Sequence, residues 1–309
     1  MTLESFRNTF AGGPLDRMSG RRDDAAWLAE RLASPDALLL ALRDGEPLVE
    51  DGPQGPRLAY AAADACRALA ADRERLLFLG LWKEAAVFAL DVESADDRAC
   101  AALLSLGRFE PLRELAAVLA PAESAMAGTA RAVFEWRRRN RFCANCGART
   151  EVAGGGWKRL CPACGAQHFP RLDPVVIMLP VRGERCLLGR QAPWPPGRYS
   201  ALAGFVEPGE SVDEACAREV REECGLVVER VRPHSTQPWP FPHSLMLGLI
   251  ADVAEGEARP VDGELEAVRW ASRAEVRRML MGEEVDGVSL PPPLAIARRL
   301  VEAWALAEG

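Results

Sequence analysis

Apolar residues follow two kinds of spacing in the N-terminal part of the chain. Residues 75–92 form two apolar runs around a short polar turn, a pattern that predicts two strands. Over 111–119, and again over 123–139, apolar residues recur three and four positions apart, which predicts helices. The strands and helices together predict an α+β domain, which we assign to residues 1–135.

A different arrangement of apolar residues begins at residue 170. One long polar helix follows the second predicted strand, and a last helix over 294–306 comes after three successive prolines. The intervening segment, residues 136–169, is rich in cysteine and glycine. We therefore expect a second α+β domain at 170–309 behind a small metal-stapled module, with no internal repeat apparent. The apolar runs that predict its strands are 174–181, 184–188, 245–253 and 267–271.

Composition and charge narrow the class of protein. About half of the 309 residues are hydrophobic, which is typical of a globular protein. There is no apolar run of about 18 residues, the length that a membrane helix needs, and the N-terminus lacks the apolar core of a signal peptide. We therefore expect a cytoplasmic protein with no membrane partner. The net charge of −7 disfavours a broad surface for nucleic acids.

A run of basic residues, 137–141, has two interpretations. Four arginines in five positions are compatible with a patch that binds nucleic acid. The run also stands at the C-terminal end of a predicted helix, where cations complement the helix dipole. We favour the second interpretation, a solvated helix end.

Four of the nine cysteines have the spacing of a zinc site. Cys143 and Cys146 form one C-x-x-C pair, Cys161 and Cys164 form another, fourteen residues separate the pairs, and each pair is followed by glycine. Such knuckles aim four thiolates at one Zn²⁺, which leaves the ion no open position and makes its role structural. A redox or empty site is the alternative. We expect the other cysteines to be small buried hydrophobes: Cys66, Cys100, Cys186, Cys216 and Cys224.

The polar helix carries start and stop signals and an acidic face. Ser211 and Glu214 have the spacing of a capping box, and Gly225 stands where a left-handed residue would end the helix.

Glu219, Glu222 and Glu223 are spaced i, i+3 and i+4, so that their carboxylates share one face of that helix. An acidic face of this kind is either solvated or holds a hard divalent cation.

The segment Gly204–Leu226 matches every fixed position of G-x5-E-x7-R-E-U-x-E-E-x-G-U, where U is aliphatic. It therefore resembles the Nudix box. The resemblance implies an α/β/α sandwich with a mixed sheet and hydrolysis of a pyrophosphate bond with Mg²⁺ or Mn²⁺. It makes Glu219 and Glu223 metal ligands, and Glu222 a residue that assists a second metal or orients the attacking water. We expect Glu210 and Arg218 to brace the loop and helix as an ion pair.

Residues 237–244 read Q-P-W-P-F-P-H-S and match Q-P-W-P-F-P-x-S of the NADH pyrophosphatase family. The zinc module also stands where that family has one. The resemblance implies that the carbonyl of Ala203 and the carboxylate of Glu264 also reach the catalytic metal. It implies substrate contacts from Phe169, Ala203, Gly204, Phe205, Gln237, Pro238, Trp239, Pro240, Phe241, Pro242, His243, Ser244 and Ala297.

Three residues depart from that family's pattern. Thr236 replaces a serine and keeps the hydroxyl, Phe169 replaces a tyrosine and loses it, and Gly156 stands where some members have glutamate. These departures bear on nucleotide preference and leave the chemistry of the box intact.

The resemblance implies an NAD(H) diphosphatase that yields NMN(H) and AMP, works as a homodimer and holds one structural Zn²⁺ per chain. RNA capped with NAD at its 5′ end has the same bond and is a second substrate that the resemblance implies. One alternative is a Nudix hydrolase of other nucleoside diphosphate derivatives. Another is a non-catalytic zinc-ribbon protein that senses a nucleotide. The sequence does not rank the substrates or the two divalent ions.

Overall fold

The computed structural model describes residues 8–261 and 263–307. The chain divides into two compact units. The N-terminal unit comprises residues 10–172 with 239–243, and the C-terminal unit comprises 173–238 and 244–307 with residues 8–9. The outer ends of the predicted domains, residues 1–7 and 308–309, lie outside the described residues. All described helices are too short or too polar to cross a bilayer.

The N-terminal unit is built on a seven-stranded sheet. Its strands are β1 Leu38–Arg43, β2 Glu46–Gly52, β3 Gly55–Leu58, β4 Tyr60–Ala62, β5 Leu76–Trp82, β6 Ala85–Asp91 and β7 Arg108–Phe109. Strand β1 pairs antiparallel with β2 and β4 and parallel with β6, while β5 pairs with β6 and both β3 and β7 pair with β2. Its helices are α1 Ala25–Ala33, α2 Arg67–Ala70, α3 Ala101–Leu104, α4 Leu112–Leu115 and α5 Pro121–Arg139.

Three short strands follow α5 in the same unit and form an antiparallel sheet around the cysteine pairs. They are β8 Glu151–Ala153, β9 Lys158–Leu160 and β10 Gln167–His168. Side chains of β9 and of the residue before it bind β5 of the larger sheet and the loop that precedes it. Trp157 donates from Nε1 to the carbonyl of Phe78 at 2.7 Å, and Arg159 forms a bidentate pair with Glu74 at 2.9 and 3.1 Å.

The C-terminal unit is a mixed sheet between helices. Its elements are β11 Asp173–Arg182, β12 Arg185–Arg190, β13 Leu202–Phe205, α6 Val212–Cys224, β14 Val228–Trp239, β15 Ser244–Val253, β16 Ala267–Ser272, α7 Arg273–Leu280 and α8 Ile296–Leu306. The strand order is β14-β15-β11-β12-β16, with β13 also paired to β11. Strand β11 runs parallel to β15 and antiparallel to β12 and β13.

Alternate residues of β11 enter two different cores. Val176 and Met178 pack with α6, whereas Ile177 and Leu179 pack with α7 and α8. Helices therefore cover both faces of the sheet, because successive side chains of a strand point to opposite faces. The predicted α/β/α sandwich with a mixed sheet is confirmed.

The two units repeat one strand topology. In each, a central strand (β1 or β11) begins a hairpin, pairs antiparallel with a later short strand (β4 or β13) and pairs parallel with a still later one (β6 or β15). The sequence showed no such repeat, since the likeness lies in hydrogen bonding and not in residue identity. In the C-terminal unit, α6 follows the short strand β13. The helix that follows the equivalent strand β4 in the N-terminal unit is α2, whose four residues RALA include no acid.

The sequence predicted most long elements correctly. Strands β5, β6, β11, β12, β15 and β16 and helices α5, α6 and α8 are confirmed, with ends shifted by a few residues. The interpretation of 137–141 as a solvated helix end is wrong for Arg137, which is 4% exposed. This side chain turns inward and donates from Nη2 to the carbonyl of Leu76 at 2.6 Å.

Candidate active site and zinc site

Helix α6 begins and ends at the predicted residues. The Oγ of Ser211 accepts the N–H of Glu214 at 3.3 Å, and the carboxylate of Glu214 accepts the N–H of Ser211 at 2.7 Å. Gly225 ends the helix with φ of 75°, a left-handed conformation that glycine adopts without a Cβ clash. Both predicted caps are confirmed, and they fix the helix along which the glutamates are spaced.

Arg218 binds the loop before α6 to the helix. It donates from Nε and Nη2 to the two carboxylate oxygens of Glu210, at 2.6 and 2.9 Å, and from Nη2 to the carbonyl of Phe205 at 2.8 Å. The Arg218 guanidinium lowers the pKa of Glu210 to about 2, so that this carboxylate stays ionised. The predicted ion pair is present, and it connects β13, the loop and α6.

The same arginine also binds two of the three glutamates on the acidic face. Its Nη1 donates to Glu219 at 2.8 Å and to Glu222 at 3.0 Å. The side chain of Glu219 is 13% exposed, and that of Glu222 is 53% exposed. Burial raises the pKa of Glu219, while the hydrogen bond from Arg218 lowers it.

Glu223 is the most deeply buried of the three, at 1% exposure. Its position on α6 is beside residues that pack into the core, Val220 and Cys224. A carboxylate is costly to bury, because its charge loses the stabilisation that water provides. The acidic face is therefore not simply solvated: it runs from the exposed Glu222 to the buried Glu223.

Gly204 lets β13 approach this face closely. A Cβ at residue 204 would overlap the carboxylate of Glu219, so any side chain there would displace it. Ala203 precedes it on β13, opposite Ile177 of β11. The ring of Phe205, the next residue, is 60% exposed.

Glu264 lies within the electrostatic reach of α6. Its carboxylate accepts a hydrogen bond from Nε2 of Gln191 at 3.1 Å. The pKa of Glu219 is raised mainly by burial and further by the charges of Glu222 and Glu264. Asp262, beside Glu264 in the sequence, lies outside the described residues.

The donors of this site suit a hard divalent cation. They are carboxylate oxygens, the ligands that Mg²⁺ and similar ions prefer. Within residues 8–261 and 263–307, the cysteines are the only group of three or more metal-binding side chains whose ligand atoms all lie within 4.8 Å of one another. The glutamates are thus spread along a face, an arrangement that fits an ion bound by few carboxylates and completed by water and phosphate.

The four cysteines fit a tetrahedral Zn²⁺. The Sγ atoms of Cys143 and Cys164 are 3.7 Å apart, and those of Cys146 and Cys161 are 3.5 Å apart. Zinc–sulfur bonds of about 2.3 Å in a tetrahedron give a sulfur spacing of about 3.8 Å. The side-chain amide of Asn145 donates to the Sγ of Cys164 at 3.7 Å, a contact that suits the thiolate that zinc requires.

Each cysteine pair is turned by a left-handed glycine. Gly147 and Gly165 have φ of 77° and 75°. Their N–H groups donate to the carbonyls of Cys143 and Cys161, both at 2.9 Å. The other five cysteines are buried, as predicted.

Two of the predicted substrate contacts in the C-terminal unit, Gln237 and Ala297, are buried in its interior. Gln237 is 1% exposed, and its amide donates to the carbonyls of Thr9 and Leu294 at 3.1 and 2.8 Å. Its Oε1 accepts the N–H of Ile296 at 2.9 Å. Ala297, the next residue on α8, is 2% exposed. Gln237 therefore holds the N-terminal end of α8.

The aromatic residues after Gln237 pack inside the N-terminal unit. Trp239 and Phe241 contact each other at 5.3 Å between ring centroids, and both contact Phe10, at 6.2 and 5.9 Å. The guanidinium groups of Arg113 and Arg131 lie 4.5 and 5.0 Å from the ring of Phe241. No sequence signal indicated that Phe10, Arg113 and Arg131 would join this cluster.

The remaining predicted contacts differ in exposure. Pro240 and His243 are buried, Pro238 is exposed and Pro242 follows a cis peptide bond. Ser244 begins β15 opposite Asp173. Phe169, in the N-terminal unit, is 62% exposed.

The sandwich and the capped acidic helix define the C-terminal unit as a Nudix domain. A family model described as the NUDIX domain matches residues 171–290. Two further models match preceding segments: an NADH pyrophosphatase-like rudimentary NUDIX domain over 36–136, and an NADH pyrophosphatase zinc ribbon domain over 138–169.

Curated relatives extend this match along the chain. The chain is 34% identical to the NAD-capped RNA hydrolase NUDT12 of Macaca fascicularis over 98% of its own length and 74% of the relative's. It is 41% identical to the NAD-capped RNA hydrolase NudC of Stutzerimonas stutzeri over 64% of its own length and 67% of the relative's. The NAD-capped RNA hydrolase NudC of Mycobacterium bovis is 43% identical over 64% of this chain and 65% of the relative. The chain therefore belongs to the NADH pyrophosphatase family of Nudix hydrolases.

Proposed function

We propose that the chain hydrolyses the pyrophosphate bond of NADH and NAD⁺ to NMN(H) and AMP, with Mg²⁺ or Mn²⁺ as the catalytic ion. The observation that carries this proposal is the gradient of burial along α6, from Glu222 to Glu223. A helix that serves only to pack has no chemical need for three carboxylates on one face, whereas a hard divalent cation does. Hydrolysis of a pyrophosphate requires charge neutralisation at the phosphoryl oxygens, which carboxylate-bound cations supply.

The acidic residues divide between two proposed roles. Glu219 and Glu223 would hold the cation, together with the carbonyl of Ala203 and the carboxylate of Glu264. Glu222, the most exposed of the three on α6, orients the water that attacks phosphorus. Arg218 positions this set, because one guanidinium binds both Glu219 and Glu222. When bound, the cation would neutralise charge on the substrate's phosphates.

The aromatic residues divide into two proposed groups. Phe169 and Phe205 have exposed rings on the N-terminal and C-terminal units, and an exposed ring is free to stack on a nicotinamide or an adenine. Trp239 and Phe241 are packed against Phe10, which supports a role in shaping the 237–244 segment.

We infer that RNA capped with NAD is a second substrate. The bond to be cleaved is the same, and the adenylate of the cap is simply extended by the RNA chain. The curated relatives are named for this activity. We also retain from the sequence the domain boundaries after residues 135 and 169, one structural Zn²⁺ per chain and a homodimer. A site of four thiolates suits the reducing cytoplasm, where we expect the protein to act.

A substrate panel tests the proposal. Purified protein would be incubated with Mg²⁺ or Mn²⁺ and, separately, with NADH, NAD⁺, ADP-ribose, a dinucleoside polyphosphate, a nucleoside triphosphate and NAD-capped RNA, and the products identified by mass. We expect AMP from NADH and NAD⁺, and a 5′-monophosphate end on the RNA. Cleavage of triphosphate with NADH untouched would favour the broader Nudix alternative. No turnover of any pyrophosphate would favour the non-catalytic one.

A further inference from the structure

A second charged site lies within the N-terminal unit, in a cavity of about 460 Å³. The acids on its lining are Asp72, Glu74, Asp91 and Glu93. They are outnumbered by six arginines from the sheet, α5 and the zinc ribbon: Arg75, Arg137, Arg138, Arg141, Arg149 and Arg159. Positive charge is thus concentrated here in a chain whose net charge is −7, a pattern expected of a site for an anion.

Half of these arginines are neutralised within the lining. Each of three pairs with an acid of the same cavity, as in ordinary structural ion pairs. The pairs are Arg159 with Glu74, Arg75 with Asp72, and Arg138 with Glu93. The fourth acid, Asp91, offsets part of the charge of the other three arginines, so six arginines and four acids leave the lining with a net charge of +2.

Arg137 is the buried member of the remaining three. It is 4% exposed, and its Nη2 donates to the carbonyl of Leu76 at 2.6 Å. In the part of the chain that the structure describes, the Nε and Nη1 of Arg137 have no hydrogen-bond acceptor, and no carboxylate is bonded directly to its guanidinium. Burial lowers the pKa of Arg137 to about 10, which still leaves it a cation at neutral pH. A buried cation without such a partner is costly, and an anion in the cavity would offset that cost.

Arg141 and Arg149 are the exposed members, and the zinc ribbon holds both. The N–H of Thr150 donates to the carbonyl of Arg141 at 2.9 Å, and Phe142 and Arg149 are bridged in the same small hairpin. Neither guanidinium has an ion-pair partner among residues 8–261 and 263–307. A guanidinium offers its N–H groups as a planar fork that matches the oxygens of phosphate.

We propose that this cavity binds a phosphate group, with the buried Arg137 lining it inside and the exposed Arg141 and Arg149 at its opening. A phosphodiester of RNA and a free phosphate monoester share the necessary chemistry. Only the RNA source rests on the proposed function, since it requires capped RNA as a substrate. The tests below need no turnover, so they stand or fall independently of the hydrolase proposal.

Chemical protection of single arginines tests the site directly. Phenylglyoxal would be reacted with the intact zinc-loaded protein, alone, with inorganic phosphate, and with an uncapped RNA oligonucleotide, and the modified residues mapped by mass. We expect either ligand to slow modification of Arg141 and Arg149 at least about fivefold. Arg139 is the internal control, because it is exposed in the same basic run and does not line the cavity.

The pattern of protection identifies the source of the phosphate. Protection by the oligonucleotide at phosphate-group concentrations where inorganic phosphate has no effect assigns the site to RNA. If inorganic phosphate protects these arginines at least as well as the oligonucleotide at the same phosphate-group concentration, the site is assigned to a free phosphate. Arg141 and Arg149 reacting as Arg139 does in every condition would overturn the proposal.

A pair of variants provides an independent measurement. Binding of a labelled uncapped RNA and of inorganic phosphate would be compared in the Arg141→Ala/Arg149→Ala protein and in the Arg139→Ala control, with zinc content as the check on folding. For each of the two ligands that the wild-type protein binds, the double variant should have at least about fivefold lower affinity. For RNA, the slope of log affinity against log salt should fall by about 0.7, since one neutralised phosphate of a single strand contributes about that much. Equal binding by the double variant and the control would contradict the site.

Discussion

Each of the three glutamates on α6 lies in a different electrostatic environment. Glu222 is half-exposed, Glu219 is largely covered and hydrogen-bonded to Arg218, and Glu223 is buried in the helix's inner side. Burial opposes ionisation, whereas a divalent cation favours it. Protons and the catalytic cation therefore compete for the same carboxylates, and this competition gives the activity a specific dependence on pH.

The raised pKa of Glu219 predicts an acid limb in the pH profile of NADH turnover. Because burial raises this pKa, protonation should begin at a higher pH than for a free glutamate, whose pKa is about 4.3. A tenfold higher concentration of divalent cation should displace the proton and move the limb to lower pH. Turnover measured over an acid-to-neutral series at both concentrations checks this. A limb that does not move with the cation would contradict the role of Glu219.

The stability should change with pH in the opposite direction to the activity. A carboxylate whose pKa is raised on folding binds its proton more tightly in the folded state than in the unfolded chain. The contribution of Glu219 to the free energy of unfolding should therefore rise as pH falls through its raised pKa. Denaturant unfolding of wild type and of Glu219→Gln without divalent cation separates this contribution from those of other acids.

Gly204→Ala tests the close approach of β13 to α6. A Cβ at this position would overlap the carboxylate of Glu219 and displace it. We expect turnover to fall about 100-fold, the size of effect that a displacement of about 1 Å produces in an active site. Gly20→Ala is the control, because a Cβ there meets nothing within 4 Å. Wild-type turnover in Gly204→Ala would show that Glu219 tolerates displacement.

At the scale of elements, two helices of the C-terminal unit begin with the same device. Ser211 caps α6 and Ser272 caps α7, each in a full capping box. Ser211→Ala and Ser272→Ala should each lower the free energy of unfolding by about 1 kcal/mol. Only Ser211→Ala should also raise the concentration of divalent cation needed for half-maximal turnover, because α6 carries the glutamates. Denaturant unfolding and metal titration of both variants make the comparison. Equal effects of both variants on the metal dependence would contradict this account of α6.

Elements with local signals were predictable from the sequence, and elements without them were not. Helix α6 has its caps and its acidic periodicity within a short stretch, so both its bounds and its acidic face were predicted. The central strand β1 was missed, because its uninterrupted apolar run, LLLAL, does not distinguish a buried strand from a helix. The topological repeat was missed because the two units share a pattern of strand pairing and not a pattern of residues.

The candidate site was predictable to the same degree. Spacing alone assigned Glu219, Glu222 and Glu223 to one helix face. It did not predict that a single guanidinium of Arg218 reaches Glu210, Glu219 and Glu222, since this depends on how the preceding loop folds back. The packing of Trp239 against Phe10 brings together residues more than two hundred positions apart, and no local pattern encodes it.

At the scale of the whole molecule, the zinc ribbon is part of the folding of the N-terminal unit. Its residues Trp157, Lys158 and Arg159 bind Phe78 of β5, Asp23 before α1 and Glu74 before β5. Loss of the metal should therefore unfold more than the ribbon itself, because these contacts depend on the ribbon's shape.

Cys161→Ser tests this dependence. We expect zinc content to fall from about one per chain toward zero and the N-terminal unit to lose protection from hydrogen exchange, including β5 and β9. Cys66→Ala is the control, because Cys66 is a buried cysteine outside the zinc group and its loss should leave zinc content unchanged. Full zinc content in Cys161→Ser, or unchanged protection of β5 after zinc loss, would count against a structural role for the metal.

The products formed from NADH test the central claim most directly. Three proteins would be incubated with NADH and Mg²⁺ or Mn²⁺: the wild type, Glu223→Gln and the control Asp213→Asn. Asp213 is an exposed acid in the first turn of α6. The products would be identified by mass and quantified. We predict equal amounts of AMP and reduced NMN from the wild type and the control. Glu223→Gln should be folded and at least about 100-fold slower, since loss of groups that only orient a metal ligand already costs about 10- to 100-fold. NADH left intact by the wild type, or cleaved at the same rate by Glu223→Gln, would contradict the account.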